Sequence, residues 1–188
     1  MILAIDIGNT NIVIGCCADG QVIFRERVFT NPTATVLEYA AMLKMAFDMN
    51  RADITAVDGA ILSSVVPAVT LTMRDAVHKY LHLTPLVVGP GIKTGLRIHI
   101  DNPAQLGSDL VVDAVAGIHH YPLPQIIIDM GTATTFSVID QHGFYVGGMI
   151  TAGMAISAEA LVRSTSQLSK GDFEKTKKLI GTNTVDCI

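Results

Sequence analysis

The chain has 188 residues, 49% of them hydrophobic and 16% charged, and carries a net charge of -4. That balance excludes a disordered chain, which has too little apolar content to bury a core, and argues against a nucleic-acid partner, which needs a basic face. No apolar run reaches the ~20 residues of a membrane span, Met1 leads into a strand without a leader's basic flank, and three cysteines, with Cys16 and Cys17 adjacent, match neither zinc spacing nor a disulfide framework, so a cytoplasmic protein with no membrane partner is expected.

Met1 to Gly15 reads MILAIDIGNTNIVIG. An apolar run, Ile2 to Ile5, ends at Asp6. The tight turn Gly8-Asn9-Thr10 follows, then a second apolar run from Ile12 to Ile14. This predicts strand, turn, strand with an acid at the bend. Asn11 to Cys17 and Gln21 to Val28 predict a hairpin around Ala18-Asp19-Gly20. Asn31-Pro32 predicts a helix start, with the helix reaching Asn50 and Val36, Ala40, Leu43 and Phe47 facing inward. Met42, Met45 and Met49 read as packing on that helix. Gly59 to Leu62 predicts a buried strand. After Ser63-Ser64-Val65-Val66, Pro67 opens a second helix with Val69, Met73, Val77 and Leu81 inward.

Pro85 to Val88 predicts a strand, followed by the glycine-rich loop Gly89 to Gly95 and a strand from Leu96 to Ile100. Asp101-Asn102-Pro103 predicts the cap of a third helix to Ile118. His119 to Pro124 reads as a break and as the boundary between residues 1-120 and 121-188. Ile126-Ile127-Ile128 then lead into Asp129-Met130-Gly131-Thr132-Ala133-Thr134-Thr135, a second strand and acidic turn. A hairpin closes at Gln141-His142-Gly143, and a strand runs from Tyr145 to Ile150. A helix is expected from Met154 to Leu168, a polar loop or short helix over 169-178, and the start of a helix at Thr184. The strand-turn-acid pattern opens two α/β halves, which predicts two turns on the walls of one cleft.

A Gly/Asn/Thr turn after a strand offers N–H groups and a hydroxyl to a phosphate. A neighbouring Asp supplies the hard oxygen that Mg²⁺ requires. Either turn alone also reads as an ordinary Asx-turn; the repetition favours a nucleotide, with Thr132, Thr134 and Thr135 on a second phosphate. Asp109, in the apolar stretch Leu106 to Val112, reads either as a helix-surface acid or as a general base. His78 with His82, His119-His120 and the lysines of 170-178 read as solvated surface.

These residues resemble the bacterial type III pantothenate kinases, of the actin-like kinase superfamily. The resemblance runs from Met1 to Ile188. It rests on Asp6 to Asn11, Ser63 to Pro67, Gly89 to Gly95, Asp101 to Pro103, Gly107-Ser108-Asp109, Asp129 to Thr135 and Gly181 to Val185. It implies an α/β fold of duplicated ribonuclease-H-like (actin-like ATPase) halves around a cleft, the second half incomplete at Ile188. It implies ATP-dependent phosphorylation of pantothenate, the first step of coenzyme A synthesis, by a homodimer.

The resemblance also implies site roles. Asp6, Ile7, Gly8, Asn9, Thr10, Asn11, Ile12 and Val13 would hold ATP phosphates, with Mg²⁺ on Asp6. Thr132 would contact ATP, and Asp129 would bind K⁺ or NH₄⁺. Asp109 would accept the proton of the pantothenate hydroxyl. Ile100, Gly107, Ser108, Leu110 and Thr184 would lie along pantothenate. The chain departs from the family at Leu110, where Arg is usual, at Ile100, where Tyr is usual, and over Met149 to Gly153. Loss of an Arg that binds the pantothenate carboxylate would weaken binding by about 2–5 kcal/mol. Two further readings stand beside the kinase: a catalytically impaired nucleotide-binding or regulatory relative, and a kinase for another hydroxyl substrate suited to Leu110.

Overall fold

Alternating apolar residues set the first sheet. In the computed structural model, which describes residues 1–166, 168 and 178–187, β1 (Ile2–Ile7), β2 (Asn11–Ala18) and β3 (Gln21–Phe29) form an antiparallel meander. The β2–β3 turn has positive φ at Asp19 and Gly20 (50° and 74°), the mirror-image turn whose twist suits a hairpin. Helix α1 (Val36–Asn50) leads to β4 (Gly59–Ser64), parallel to β1. Helix α2 (Pro67–Leu81) leads to β5 (Leu86–Val87), parallel to β4. The sheet order is β3-β2-β1-β4-β5.

Leu3, Ile5 and Ile7 of β1 join Ile12 and Ile14 of β2 in one buried layer with Leu43 and Phe47 of α1 and Met73 and Val77 of α2. Burial of each such side chain stabilises the fold by about 1.5–3 kcal/mol, so this layer anchors β1 and therefore the position of Asp6.

The second sheet has the order β6-β9-β8-β7, from β6 (Arg97–Ile98), β7 (Gln125–Met130), β8 (Ala133–Ile139) and β9 (Phe144–Ala152). Strand β6 precedes residue 120 yet pairs with β9. Its core is smaller: Ala114, Ile139 and Tyr145, with Ile98, Ile100, Leu106 and Ile127 packed against them. Helix α3 (Ser108–His120) touches β4 of the first sheet and β7 and β8 of the second. Gly117 faces β7 closely: a Cβ there would come 2.6 Å from Ile127 Cδ1 and would push that side chain aside. Helix α4 (Met154–Ser164) and the single turn α5 (Thr184–Cys187) follow.

Several boundaries differ from the sequence reading. Helix α1 begins after Thr35, not at Asn31-Pro32, because Thr35 and Glu38 form a reciprocal capping box; Asn31 instead accepts from Thr33 N in a local turn. Asn102 caps only a 3-10 turn, Pro103–Gln105. Leu106 is then extended, which seats it in the second core, and α3 starts two residues later at Ser108. His119 and His120 form the last turn of α3, where the helix dipole favours basic groups. Met42 packs against the core, whereas Met45 and Met49 are exposed. Helix α4 stops at Ser164, and the segment expected over 169-178 lies outside the described residues except for Lys178. Cys16, Cys17 and Cys187 are free thiols.

Candidate active site

Where β1 turns into β2, Gly8 N donates to Asn11 O at 2.9 Å. Thr30, itself only 2% exposed, braces this turn from β3's end: its hydroxyl donates to Gly8 O at 2.7 Å and its N–H to Thr10 O at 2.9 Å. Asn9 and Thr10 are thereby left exposed on the turn. The side chains of Ile7 and Ile12 are fully buried, so these two residues offer a ligand only backbone.

The second turn is built alike. Gly131 N donates to Ala133 O, and Gly153 N, just before α4, donates to Thr132 O, each at 3.0 Å. A side chain at 153 would collide with the carbonyls of Gly131 and Thr132, so α4 starts directly against the turn. Thr10 Oγ1 and Thr132 Oγ1 lie 2.8 Å apart. The two turns meet.

Carboxylates gather beside this contact. Asp6 is exposed to the cleft, yet the surrounding walls withhold enough water that desolvation is the largest cause of its raised pKa; a hydrogen bond from Ser63 opposes the shift, and the charges of Asp109 and Asp129 add to it. Asp113, one helical turn after Asp109, is pushed up to about 6, first by burial and then by Asp129, Asp6 and Asp109. The three acids singled out by sequence therefore share one electrostatic neighbourhood with a fourth that sequence reasoning passed over. Among the described residues the ion pairs are Met1–Asp58, Lys44–Asp48, Arg74–Asp75 and Arg163–Glu159, so no basic side chain pairs with the four.

At the start of α3, Asp109 Oδ1 accepts from Leu110 N at 2.8 Å. Gly107 is the N-cap, where any Cβ would collide with that carboxylate oxygen. Ser108 is only 8% exposed, and its hydroxyl is engaged with β4. Leu110 is half-buried, Ile100 packs into the second core, and Thr184 is exposed at the start of α5. Among the described residues, no hydrogen bond joins Ile100 or Thr184 to the acids.

The family profile described as type III pantothenate kinase matches residues 2–188. The chain belongs to the type III pantothenate kinase family. Named members of that family include one from Halalkalibacterium halodurans, 43% identical over 99% of this chain and 73% of its own length, and one from Pelobacter propionicus, 44% identical over the same shares. Among solved structures, a conserved putative Baf family transcriptional activator from Campylobacter jejuni superposes with a TM-score of 0.58 at 16% identity, covering 98% of this chain and 70% of that one. The type II variant of the Aquifex aeolicus Ppx/GppA phosphatase gives 0.51 at 15% identity, over 89% and 56%. These likenesses concern the fold, which is of the actin-like ATPase, ribonuclease-H-like class.

A cavity of about 300 Å³ touches α3 through Ser108 and Val111, between the loop Gly89 to Ile92 and the turn at Pro103. At ~100° per residue, that helix face lies roughly 150° round from Asp109 and Asp113. The cavity is behind the carboxylates rather than among them. Two functional groups escaped the sequence reading. Asp113 was visible only as Asp109 plus one helical turn, and the Ser63 hydroxyl carried no local signal that it would meet Asp6.

Proposed function

We propose that this chain transfers the γ-phosphoryl group of ATP to the hydroxyl of pantothenate, giving 4'-phosphopantothenate, the first step of coenzyme A synthesis. One observation carries the reading. Two acidic turns from opposite halves meet at Thr10 and Thr132, with Asp109 close enough to act on Asp6 electrostatically.

In this reading the turn from Asp6 to Val13 cradles the ATP phosphates, with Ile7, Ile12 and Val13 contributing backbone and Asn9, Thr10 and Asn11 contributing side chains. Thr132 closes on the nucleotide from the other wall. Gly107, Asp109 and Leu110 line the acceptor, with Ile100 and Thr184 farther along it. Asp109 takes the hydroxyl proton as the oxygen bonds to the γ-phosphorus; the bond from that phosphorus to the β–γ bridging oxygen breaks, and ADP leaves.

The donor set fits hard cations. Among the described residues Asp6 and Asp129 have no basic partner, and their mutual repulsion is relieved by positive charge. Among the described residues, no three acidic, His or Cys groups form a ready cage, which suits Mg²⁺, an ion that keeps waters and shares substrate phosphates. Asp6 would hold Mg²⁺, and Asp129 would hold K⁺ or NH₄⁺; bound there, the ions supply charge neutralisation at the phosphates. The rest of the setting we infer is a cytoplasmic homodimer. Light scattering on the purified protein tests the dimer. Among the described residues, no helix is long and apolar enough to cross a membrane.

The competing reading, an impaired relative, draws on Leu110, which offers no charge to the pantothenate carboxylate. ADP release with pantothenate, Mg²⁺ and K⁺ separates the two. Turnover that Asp109→Asn lowers by about 10²–10⁴-fold supports the kinase. ATP binding without turnover, restored by Leu110→Arg, supports the impaired relative.

A further inference from the structure

We propose that the Ser108 hydroxyl is a clamp that positions Asp109: it fixes the first turn of α3 to the free end of β4, beside the strand that carries Asp6. This rests on the reading of Asp109 as the base, and it gives Ser108 a role other than contact with pantothenate.

The reason lies in the sheet. Strand β5 is only two residues long and pairs with Ile61 and Leu62 of β4. Strand β4 continues to Ser64. On the β1 side β4 stays paired, and Val65 N donates to Ile7 O. On the other side, Val88 N donates to Leu62 O, and β5 reaches no further. Residues two apart point their backbone groups the same way along a strand, so the N–H and C=O of Ser64 face the side that β5 has vacated. Buried backbone groups require partners.

Ser108 supplies both. Its Oγ accepts from Ser64 N at 3.0 Å and donates to Ser64 O at 2.9 Å. One hydroxyl thus does what a paired strand residue would do. The same Oγ also accepts from Ser63 Oγ at 3.3 Å. Both serines are buried, at 5% and 8% exposure. With its hydroxyl committed on both sides, Ser108 has no proton free for substrate. Helix α3 lies between the two sheets, so its N-terminus needs a fixed point on one of them, and a misplacement of ~1 Å at a reacting group costs on the order of 10²-fold in rate.

The test compares Ser108→Thr with Ser108→Val, which match in shape and differ by the hydroxyl. Ser108 borders the cavity described above, and the two variants add the same bulk there. Steady-state ADP release and fluorescent-nucleotide binding are measured on the whole chain. Ser108→Val is expected to lower kcat by 10- to 100-fold with KM for ATP within two-fold of the parent, and Ser108→Thr to return kcat to within three-fold. Equal kcat for the two variants overturns the clamp. So does a Ser108→Val effect confined to KM for pantothenate, which would mean direct substrate contact. If Ser108→Val does not fold, Ser108→Ala removes the same hydroxyl without added bulk: a kcat loss at constant nucleotide affinity supports the clamp, and none overturns it. Asp109→Asn runs alongside. Full turnover there removes the base reading and the clamp with it, whereas loss in Asp109→Asn with none in Ser108→Val removes the clamp alone.

Discussion

The hydroxyls of Thr10 and Thr132, which are 122 residues apart in the chain, touch at 2.8 Å. In the proposed reading this contact brings a hydroxyl from each turn within reach of one phosphate chain. Thr10→Val and Thr132→Val are each expected to raise KM for ATP roughly three- to ten-fold, the effect of losing one hydrogen bond worth about 1 kcal/mol. The double variant should fall short of the product of the two, because each single change already breaks the shared contact. Nucleotide titrations of the four proteins check this; strict multiplicativity would mean that the two turns act separately.

Asp113 gives the site a pH signature. Its pKa is raised to about 6 from 3.8, first by burial and then by Asp129, Asp6 and Asp109. A carboxyl raised by folding stays protonated in the fold at pH values where the unfolded chain has already released its proton. Its contribution to stability is therefore full below about pH 4 and is lost as pH rises to about 6. Asp113→Asn removes the penalty. In cation-free buffer the variant should gain little at pH 4 and about 1–2 kcal/mol above pH 6, a figure reduced for the partial exposure of the group. Denaturant melts between pH 4 and 8 measure it, and a gain that is constant with pH would sink the assignment. Added Mg²⁺ should narrow the gap between the two proteins.

The elements legible in the sequence were those set by local signals. The run from Ile2 to Ile14 contains its own strand period and turn, and Asp19-Gly20 its own hairpin. Pro67 was read as the start of α2 and is its first residue. What escaped depended on competition or distance. Asn31-Pro32 is a plausible cap, but Thr35 with Glu38 is a better one because two donors are satisfied reciprocally. Asn102 did cap a turn, yet Leu106 was drawn into the second core and the helix restarted beyond it. The repeat pointed to the turns of Asp6 and Asp129 sharing one cleft, whereas Asp109 was left open between a surface acid and a base and was joined to them only by the family resemblance. The fourth acid and the Ser63–Ser108 link were not foreseeable, because each depends on how α3 lies across β4, a relationship no spacing encodes.

Leu110 stands at the first turn of α3 next to the proposed base. In the proposed reading Leu110 itself offers the pantothenate carboxylate no bidentate partner. Leu110→Arg is expected to lower KM for pantothenate by about thirty-fold or more, the range set by 2–5 kcal/mol for a buried charge pair. Part of that gain is offset because a cation at a helix N-terminus opposes the dipole by about 0.3–1 kcal/mol. Initial-rate measurements at saturating ATP decide it. An unchanged KM would place the carboxylate elsewhere and favour an acceptor without one.

Thr30 ties the fold to the proposed phosphate turn through one buried hydroxyl. It donates to Gly8 O at 2.7 Å, while its N–H holds Thr10 O. Thr30→Val keeps the shape and the backbone bond but leaves the Gly8 carbonyl without its side-chain donor. The expected cost is about 1–3 kcal/mol of stability, together with a rise in KM for ATP, because the turn that carries Asn9 and Thr10 loses its brace. Thr30→Ser restores the donor and gives up a methyl, so it should recover the KM while staying slightly less stable than the parent. Thermal melts and nucleotide titrations on the three proteins separate the two effects. A Thr30→Val protein that melts early yet binds ATP normally would show that the brace serves the fold and not the phosphate turn.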